Sequence, residues 1–440
     1  MFNLRFILRV LSTFVSRFKF VIVVGAFVGA LFFILLKYIS PMLFAGTTEK
    51  IGITGRYSAT TLPKEVLFFV GNGLTKLDES GIPEPDLALS WETPDNGKTW
   101  IFKLDPNRIW HDGKKVMSQD IKYQFTDLSV ETPDSETIVF KLQNSYSAFP
   151  VIVSKVVFKK GLLGTGEYKV KKVTVSGNIV QNISLDNEKG DIKVYKFYPT
   201  EERTKLAYKL GEVTKIENII NASSFSAWRG AKTEGSIQKG EYVAIFFNNS
   251  VSPLSEKNLR QALSYAINKD ALGTPRAISP ISKNSWAYNP QVKPYEYDMP
   301  KAKKIISELP KEITENLEIT LTTSPVLLPA AEKIVKDWKD AGVNAEIRVQ
   351  GAIPQDYQAL LVIFDIPDDP DQYSLWHSTQ MTSNISKYAD PRIDKLLEDG
   401  RAIVNAEERK KIYLDFQRFL VEDAPAVFLY YPTTYTVERK

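Results

Sequence analysis

Residues 73–125 read GLTKLDESGIPEPDLALSWETPDNGKTWIFKLDPNRIWHDGKKVMSQDIKYQF. This segment is the most informative part of the chain about its fold. Within it TWIFKLDP, and after it ETIVFKLQ, alternate apolar and polar residues, which is typical of half-buried β-strands. DNGK and TPDS come directly before these segments and contain the residues that favour turns. The pattern therefore predicts short strands joined by tight turns in this part of the chain.

From residue 255 onward the pattern changes to longer amphipathic helices separated by apolar strands. SEKNLRQALSYAINKDAL and PAAEKIVKDWKDAG have apolar residues at helical spacing, whereas LEITLTTS, VNAEIRVQ and ALLVIFD have the composition of strands. Such alternation predicts an α/β arrangement. The acidic stretch FDIPDDPDQYSLWHS, residues 364–378, overlaps the end of the last strand. Ligands of α/β sheets bind beyond the carboxyl ends of strands, so this stretch is a candidate site.

Length and composition limit the possible classes of protein. A chain of 440 residues is too long for one ordinary core. We predict three segments: 1–46, 47–250 with a reduced second subdomain, and 251–440, part of which returns to the first lobe. The absence of cysteine excludes disulfides and thiolate chemistry, and two histidines are too few for an ordinary zinc site. No nucleophile elbow, zinc-protease motif or P-loop is present, so we predict no enzyme, no metal and no cofactor.

The N-terminus predicts a membrane helix. Residues 20–36 contain no polar side chain, and as a helix they would span roughly 26 Å, about one bilayer core. Four cations precede this run and one follows it, which places the N-terminus in the cytoplasm and the main body outside. We predict an uncleaved single-pass anchor in the cell membrane. A cleavable signal peptide is the alternative, and its nearest small-residue site is around Ala45.

The positive charge of the chain also belongs to this segment. Residues 1–40 hold five cations and no acid, which exceeds the net charge of +4 for the whole chain. The remaining residues therefore carry a net charge of about −1, and we predict no binding to nucleic acid.

Several motifs, in order, resemble the family 5 extracytoplasmic solute-binding proteins of ABC transporters, which include dipeptide, oligopeptide and nickel binders. The first stretch contributes Gly-Leu at 73–74, Pro-x-Leu-Ala-x-Ser-Trp at 85–91, Phe-x-Leu at 102–104 and His-Asp-Gly at 111–113. Later pieces are GTGEYKV, PLSEKNLRQALSYAINKDAL, NISKYADPRIDKLLEDG and EERKKIYLDFQRFLVEDAPAVFLYY. The resemblance covers nearly all of the exported part.

The resemblance implies a fold and a mode of binding. The expected fold is α/β, two-lobed and like the type II periplasmic-binding proteins, with a ligand enclosed by hinge closure. Two departures are visible. This chain lacks the lipidated cysteine of the family, so the N-terminal helix is expected to anchor it. It also passes almost directly from KYQF to SETIVFKL, where the family has a longer segment, so the small extra lobe is expected to be reduced.

In the family an aspartate of the large lobe pairs with the amino terminus of the peptide, and FDIPDDP is the matching place. The resemblance therefore favours Asp365 as the ligand anchor, with Asp369 as the alternative if the register is shifted. A buried carboxylate at a strand end needs a partner, and a ligand ammonium supplies one. The alternatives are that Asp365 caps the turn before the prolines, or that the acids hold calcium, which two prolines disfavour.

Further candidates come from residue type and position. Aromatic faces bind apolar and cationic groups, an amide can meet a ligand backbone, and an arginine can meet a carboxylate. The candidates of these kinds are Tyr373, Trp376, Trp286, Asn248, Trp228 and Arg229. Each has a structural alternative, which is a place in the core for the aromatics and a turn for the asparagine. His111 is expected to form a turn.

The predicted function is therefore that of a membrane-anchored receptor. It would capture short peptides in a cleft between lobes and deliver them to an ABC permease, acting as a monomer. One alternative is a non-peptide ligand such as a nickel chelate, a sugar oligomer or a cell-wall peptide. The other is a receptor-like scaffold whose reduced lobe encloses no ligand and which works through protein partners.

Overall fold

The computed structural model describes residues 4–43, 46–315, 317–351 and 354–439. Its first element is the helix α1 (Leu4–Leu43). Residues Ser12–Leu35 of this helix are long and apolar enough to cross a membrane, and they make no buried contact with the rest of the chain. Ala45, the candidate cleavage position, lies outside the described residues.

After α1, the described residues form ten further α-helices and eighteen strands. The helices are α2 (Lys64–Val70), α3 (Phe149–Ile152), α4 (Glu201–Leu210), α5 (Lys257–Ala266), α6 (Met299–Ser307), α7 (Lys311–Thr314), α8 (Leu328–Asp340), α9 (Tyr373–Trp376), α10 (Pro391–Ala402) and α11 (Ala406–Asp423). The strands are β1 (Thr48–Thr54), β2 (Thr75–Leu77), β3 (Pro83–Pro85), β4 (Ala88–Glu92), β5 (Thr99–Leu104), β6 (Leu128–Glu131), β7 (Thr137–Leu142), β8 (Lys169–Ser176), β9 (Ile179–Asp186), β10 (Ile192–Tyr198), β11 (Lys215–Ile219), β12 (Ala231–Ile237), β13 (Glu241–Phe247), β14 (Glu318–Thr323), β15 (Asn344–Val349), β16 (Ala359–Asp365), β17 (Ala426–Tyr430) and β18 (Thr433–Arg439).

A seven-stranded sheet with the order β12-β18-β11-β1-β10-β9-β8 organises the first lobe. Strand β1 is parallel to both β10 and β11, so these three strands begin at the same edge. Helix α4 connects β10 to β11. Thr200 caps its N-terminus through a bond from the Arg203 amide, and Gly211, at φ 82°, ends it in the left-handed conformation that glycine adopts without strain.

A small four-stranded antiparallel sheet, β4-β5-β7-β6, is inserted into this lobe, together with the hairpin β2-β3. Its core is strongly aromatic. Phe102, Phe140 and Phe149 are all buried and their rings lie 5.0 to 6.2 Å apart. The alternation in TWIFKL explains this packing, because every second residue faces the same side of the strand. The predicted strands are confirmed, and the insertion is small, as the short segment after KYQF indicates.

A five-stranded mixed sheet with the order β15-β14-β16-β13-β17 organises the second lobe, with helices packed around it. Helix α8 buries the predicted stripe of Ala331, Ile334, Val335 and Trp338. The indole of Trp338 is fully buried and donates a hydrogen bond of 3.1 Å to the Leu263 carbonyl oxygen. Removing such a ring costs about 3–5 kcal/mol, so α8 is firmly attached to the sheet.

The chain crosses between the two large sheets twice. It crosses at residues 238–240, between β12 and β13, and again at residues 431–432, between β17 and β18. Strand β13 lies in the second sheet, so the predicted boundary at residue 250 is wrong. The crossing occurs about ten residues earlier, because the whole of EYVAIFF pairs with β16 and β17. The final strand β18 pairs with β11 and β12, which places the end of the chain in the first sheet.

Candidate ligand-binding cleft

The two crossings lie side by side and form the connection between the lobes. The Gln238 amide donates to the Pro432 carbonyl oxygen at 2.8 Å, and the Gln238 side chain donates to the Thr434 hydroxyl at 2.5 Å. Two short adjacent connections are the usual form of a hinge between lobes. The space between the lobes begins at this connection, at the ends of β13 and β16.

An acidic pair occupies that position. Asp365 ends β16 and lies directly opposite Glu241, the first residue of β13. Burial raises the pKa of Glu241, and the charge of Asp365 raises it further. Across the cleft, on α2, the charge of Lys64 lowers the Glu241 pKa and that of Glu65 raises it. In the part of the chain that the structure describes, neither Glu241 nor Asp365 forms a hydrogen bond through its carboxylate or an ion pair.

The geometry corrects one expectation and adds a residue. Asp365 is exposed rather than buried, because it is the last residue of its strand and extends beyond the sheet. Glu241 is the half-buried member of the pair. Sequence reasoning missed it, although an acid at the start of the apolar run EYVAIFF was a usable signal. Two like charges directly opposite each other on neighbouring strands destabilise the sheet.

Two further acids of this segment, Asp369 and Asp371, have partners inside the lobe. Asp369 is buried and forms a bidentate ion pair with Arg409 of α11, in which Nη1 lies 2.9 Å from Oδ2. Burial lowers the pKa of Arg409, but the charge of Asp369, the neighbouring Tyr413 and the hydrogen bonds to both side chains together raise the pKa above its usual value. The Asp371 carboxylate accepts from Arg401 Nε at 2.9 Å and from the Tyr373 amide at 3.1 Å. Asp369 is therefore engaged within the protein by Arg409, and its role as the alternative ligand anchor stays a prediction.

A cavity of about 460 Å³ opens beside this ion pair, between the four-stranded insertion and the second lobe. Trp91 and Trp100 line it from the insertion, and Trp286 lines it from the second lobe. Arg409 lies 5.5 Å from the centre of the Trp286 ring, and both members of the ion pair line the wall. Trp286 thus lines a cavity, and its contact with a ligand stays a prediction. Trp91 and Trp100 were missed, although both stand in strands of alternating pattern.

The hairpin β2-β3 lies between this cavity and the hinge. The Trp286 amide donates to the Ser80 carbonyl oxygen at 3.3 Å, and Gly81 contacts the turn at Asp368. A Cβ on Gly81 would lie 2.5 Å from the Asp368 carbonyl oxygen, and φ is 82° there. Only glycine allows this close approach of hairpin and turn. The hairpin is therefore the part of the first lobe that reaches the predicted ligand-binding turn.

A second contact between the insertion and the second lobe involves Tyr373. Arg401, at the end of α10, lies 4.2 Å from the ring of Tyr373 and 5.0 Å from the ring of Tyr146 in the insertion. The amide of the neighbouring Ser147 donates to the Arg401 carbonyl oxygen at 2.7 Å. A cavity of about 980 Å³ adjoins this contact. Tyr373 lines that cavity. Arg401, which sequence reasoning missed, joins the two surfaces through its cation–π contact with Tyr146 and through its carbonyl oxygen.

The other predicted residues lie elsewhere. Trp376 is 1% exposed and its indole donates to Gln372 at 2.8 Å, so it belongs to the core rather than to a wall of the cleft. Asn248 is buried in a turn, where it donates to the Tyr357 carbonyl oxygen at 3.0 Å and accepts from Ser250. Trp228 and Arg229 are exposed at the start of β12, the end of that strand opposite the hinge. These four residues therefore do not line the cleft.

Comparison with known proteins identifies the family. A family model described as "Bacterial extracellular solute-binding proteins, family 5 Middle" matches residues 83–383. The chain belongs to this family. The resemblance inferred from the motifs is confirmed, and the exported part is a solute-binding protein of an extracytoplasmic family, with one N-terminal helix that is apolar enough to cross a membrane.

Curated relatives of this family 5 protein have low sequence identity to it, but the matches cover most of both chains. The probable D,D-dipeptide-binding periplasmic protein DdpA of Escherichia coli is 24% identical over 79% of this chain and 79% of its own length. A dipeptide-binding protein of the same organism is 24% identical over 81% of this chain and 82% of its own length. The oligopeptide-binding protein AppA of Bacillus subtilis is 21% identical over 86% of this chain and 84% of its own length.

Solved structures share the fold. NikZ from Campylobacter jejuni, in complex with Ni(L-His), superposes with a TM-score of 0.73 at 24% identity, over 89% of this chain and 94% of its own. DppA from Helicobacter pylori, in complex with the peptide STSA, superposes with a TM-score of 0.69 at 19% identity, over 90% of this chain and 94% of its own. The family 5 chain therefore has the two-lobed α/β fold of periplasmic binding proteins, as predicted.

Proposed function

We propose that this protein captures short peptides between its lobes and delivers them to an ABC permease, while α1 holds it on the outer face of the cell membrane as a monomer. Three relatives named for binding peptides support the ligand class, namely DdpA, the dipeptide-binding protein and AppA. The apolar span Ser12–Leu35 supports the anchor. The protein binds its ligand and does not transform it.

The observation that carries the proposal is the pair Glu241 and Asp365. Two carboxylates face each other at the hinge end of the cleft without a cation bonded to either of them among the described residues. A peptide ammonium placed there removes their repulsion and donates charge-assisted hydrogen bonds to the two carboxylates, which contribute about 1.5–3 kcal/mol each. An apolar side chain of the peptide can then occupy the cavity between Trp91, Trp100 and Trp286.

Isothermal titration calorimetry of the full chain in detergent micelles tests this proposal. The probes are a mixture of tripeptides and the same peptides with acetylated amino termini. Loss of the ammonium should weaken binding by about 10- to 150-fold, the equivalent of one charge-assisted hydrogen bond. Equal affinity for both sets would show that the acids do not bind the amino terminus.

Two controls separate the alternatives. Asp415→Asn removes an exposed carboxylate from the outer face of α11 and should leave binding unchanged. A nickel–histidine complex is titrated in parallel. If it binds and no peptide does, the ligand is a metal chelate. If nothing binds, the scaffold function takes the place of the proposal.

A further inference from the structure

Trp228 and Arg229 form an exposed group that the cleft does not use. The side chain of Trp228 is 36% exposed, and that of Leu210, the last residue of α4, is 67% exposed. Trp228 is nevertheless held in a fixed position, because its ring stacks on the buried Phe225 at 5.8 Å and lies edge-on to Tyr208 at 5.5 Å. The indole N–H of Trp228 and the Arg229 guanidinium have no bonding partner within the described ranges.

Strand register locates this group on the first sheet. Ile51 of β1 pairs with Lys215, Lys215 pairs with Glu438, and Glu438 pairs with Lys232. Residues 228–230 therefore lie at the level where β1 begins. The hinge lies at the opposite ends of β12 and β18. Trp228 and Arg229 thus face away from the cleft.

The membrane helix joins the protein at the same edge. Helix α1 ends at Leu43 and β1 begins at Thr48, so five Cα–Cα steps separate them, a reach of at most about 18 Å. Thr47 is fixed to the sheet, because its amide and hydroxyl both bond the Asp191 carboxylate at 2.8 Å. Lys37 is the only charged residue between Lys19 and Glu49, so the connecting chain is apolar enough to stay near the bilayer.

The distance across the sheet is compatible with contact. Strand β12 is three strands from β1, which is roughly 14 Å at ordinary strand spacing. The tether is therefore about as long as the separation between its attachment point and Trp228. A tryptophan with a free N–H, an adjacent arginine and an exposed leucine are the residue types that bind at the interface of a membrane.

We infer that the edge formed by Leu210, Trp228 and Arg229 binds the outer leaflet, with anionic lipid headgroups as the partner of Arg229. This contact rests on the proposed membrane anchor. It orients the protein with the hinge and the cleft away from the bilayer surface. It also gives the exported part a second attachment to the membrane beside the helix.

Site-specific fluorescence in lipid nanodiscs tests the inference. The chain contains no cysteine, so a single introduced cysteine carries the only label. Gly230→Cys is suitable because a Cβ there meets only the Trp228 indole nitrogen, at the ordinary distance of 3.7 Å. Val175→Cys, which is exposed at the opposite end of the same sheet, is the matched control. The discs contain anionic lipid and a headgroup-linked quencher.

The expected result is strong quenching at residue 230 and little at residue 175. Arg229→Ala in the Gly230→Cys background should lower the ratio of quenched to free label about fivefold, the equivalent of about 1 kcal/mol for one cation near an anionic surface. High salt should have a similar effect. Equal, weak quenching at both positions in a chain that co-elutes with the discs would overturn the surface contact but leave the anchor intact.

Two other results would also overturn the inference. Quenching at residue 230 that appears only after a permease is added to the discs would assign the edge to a protein partner. Failure of the full chain to co-elute with the discs would refute the anchor, and the surface contact with it. Peptide binding measured by calorimetry is independent of both results, so the failure of the edge and the failure of the cleft are distinguishable.

Discussion

The ion pair between Asp369 and Arg409 provides the sharpest test of how the acids of the PDDP turn are divided between structure and binding. Both side chains are less than 10% exposed, and two parallel contacts join them. Arg409 also donates to the Gly400 carbonyl oxygen at 2.8 Å, which holds the start of α11 against the end of α10. The pair is therefore a structural connection inside the second lobe.

Replacing Asp369 with asparagine keeps the shape of the side chain and removes its charge. Arg409 then remains buried and charged without its counter-ion, and breaking a buried pair in this way costs about 3–5 kcal/mol. We expect the lower end of this range for Asp369→Asn, because the amide oxygen can still accept one of the two bonds. Arg409→Gln should cost a similar amount for the converse reason.

A double-mutant cycle measured by urea unfolding of the full chain separates this pair from other effects. Asp369→Asn, Arg409→Gln and the double variant should show a coupling free energy of about 2–3 kcal/mol. Peptide affinity should stay within about twofold of wild type, because this pair is not the proposed anchor of the peptide. A twofold change corresponds to less free energy than the loss of one hydrogen bond to the ligand. Additive unfolding energies would contradict the structural account. A stable Asp369→Asn protein that no longer binds peptide would restore Asp369 as the ligand anchor.

Two further changes probe the cleft. Glu241→Gln should stabilise the ligand-free protein at pH 7 by about 0.2–1 kcal/mol, because it removes a like-charge pair across two strands, and it should weaken peptide binding. Because the Glu241 pKa is raised in the folded protein, the wild type loses stability as the pH rises from the unfolded pKa of 4.5 through the folded pKa. Urea midpoints measured between pH 4 and 8 should show this decrease in the wild type and not in the variant. An identical slope in both would refute the assignment. Arg401→Lys should loosen the contact that Arg401 makes with the rings of Tyr146 and Tyr373, because an ammonium cannot stack as a guanidinium does. Small-angle scattering should then report a larger radius of gyration for the ligand-free chain. An unchanged radius together with unchanged hydrogen exchange at residues 146–147 would show that the contact does not hold the lobes.

Local pattern was sufficient for most of the fold. The helix α8 and the strand β5 lie where their apolar spacing predicts them, because each element buries a face that the sequence displays at its own period. The crossing between lobes was misplaced, because the sequence of β13 shows that it is a buried strand but not which sheet it joins. That choice depends on pairing with β16 and β17, which are more than 100 residues away.

The site was harder to predict for a related reason. The sequence does not distinguish Asp365 from Asp369, because both are aspartates of one short acidic segment. Only tertiary contacts show that Arg409 neutralises Asp369. Trp286 and Trp376 differ in the same way, since one lines a cavity and the other fills the core. Residue type indicates what a side chain can bind, whereas its partner and its exposure depend on residues far along the chain.

The central claim is that the acids at the hinge end of the cleft hold the amino terminus of a peptide. Native mass spectrometry of the full chain, released from mild detergent micelles without denaturation, tests it directly when wild type is compared with Asp365→Asn. The expected result is a heterogeneous set of peptide masses on the wild type and an empty or largely depleted variant. Identical peptide loads on both proteins, or a wild type that stays empty after exposure to a peptide mixture, would contradict it.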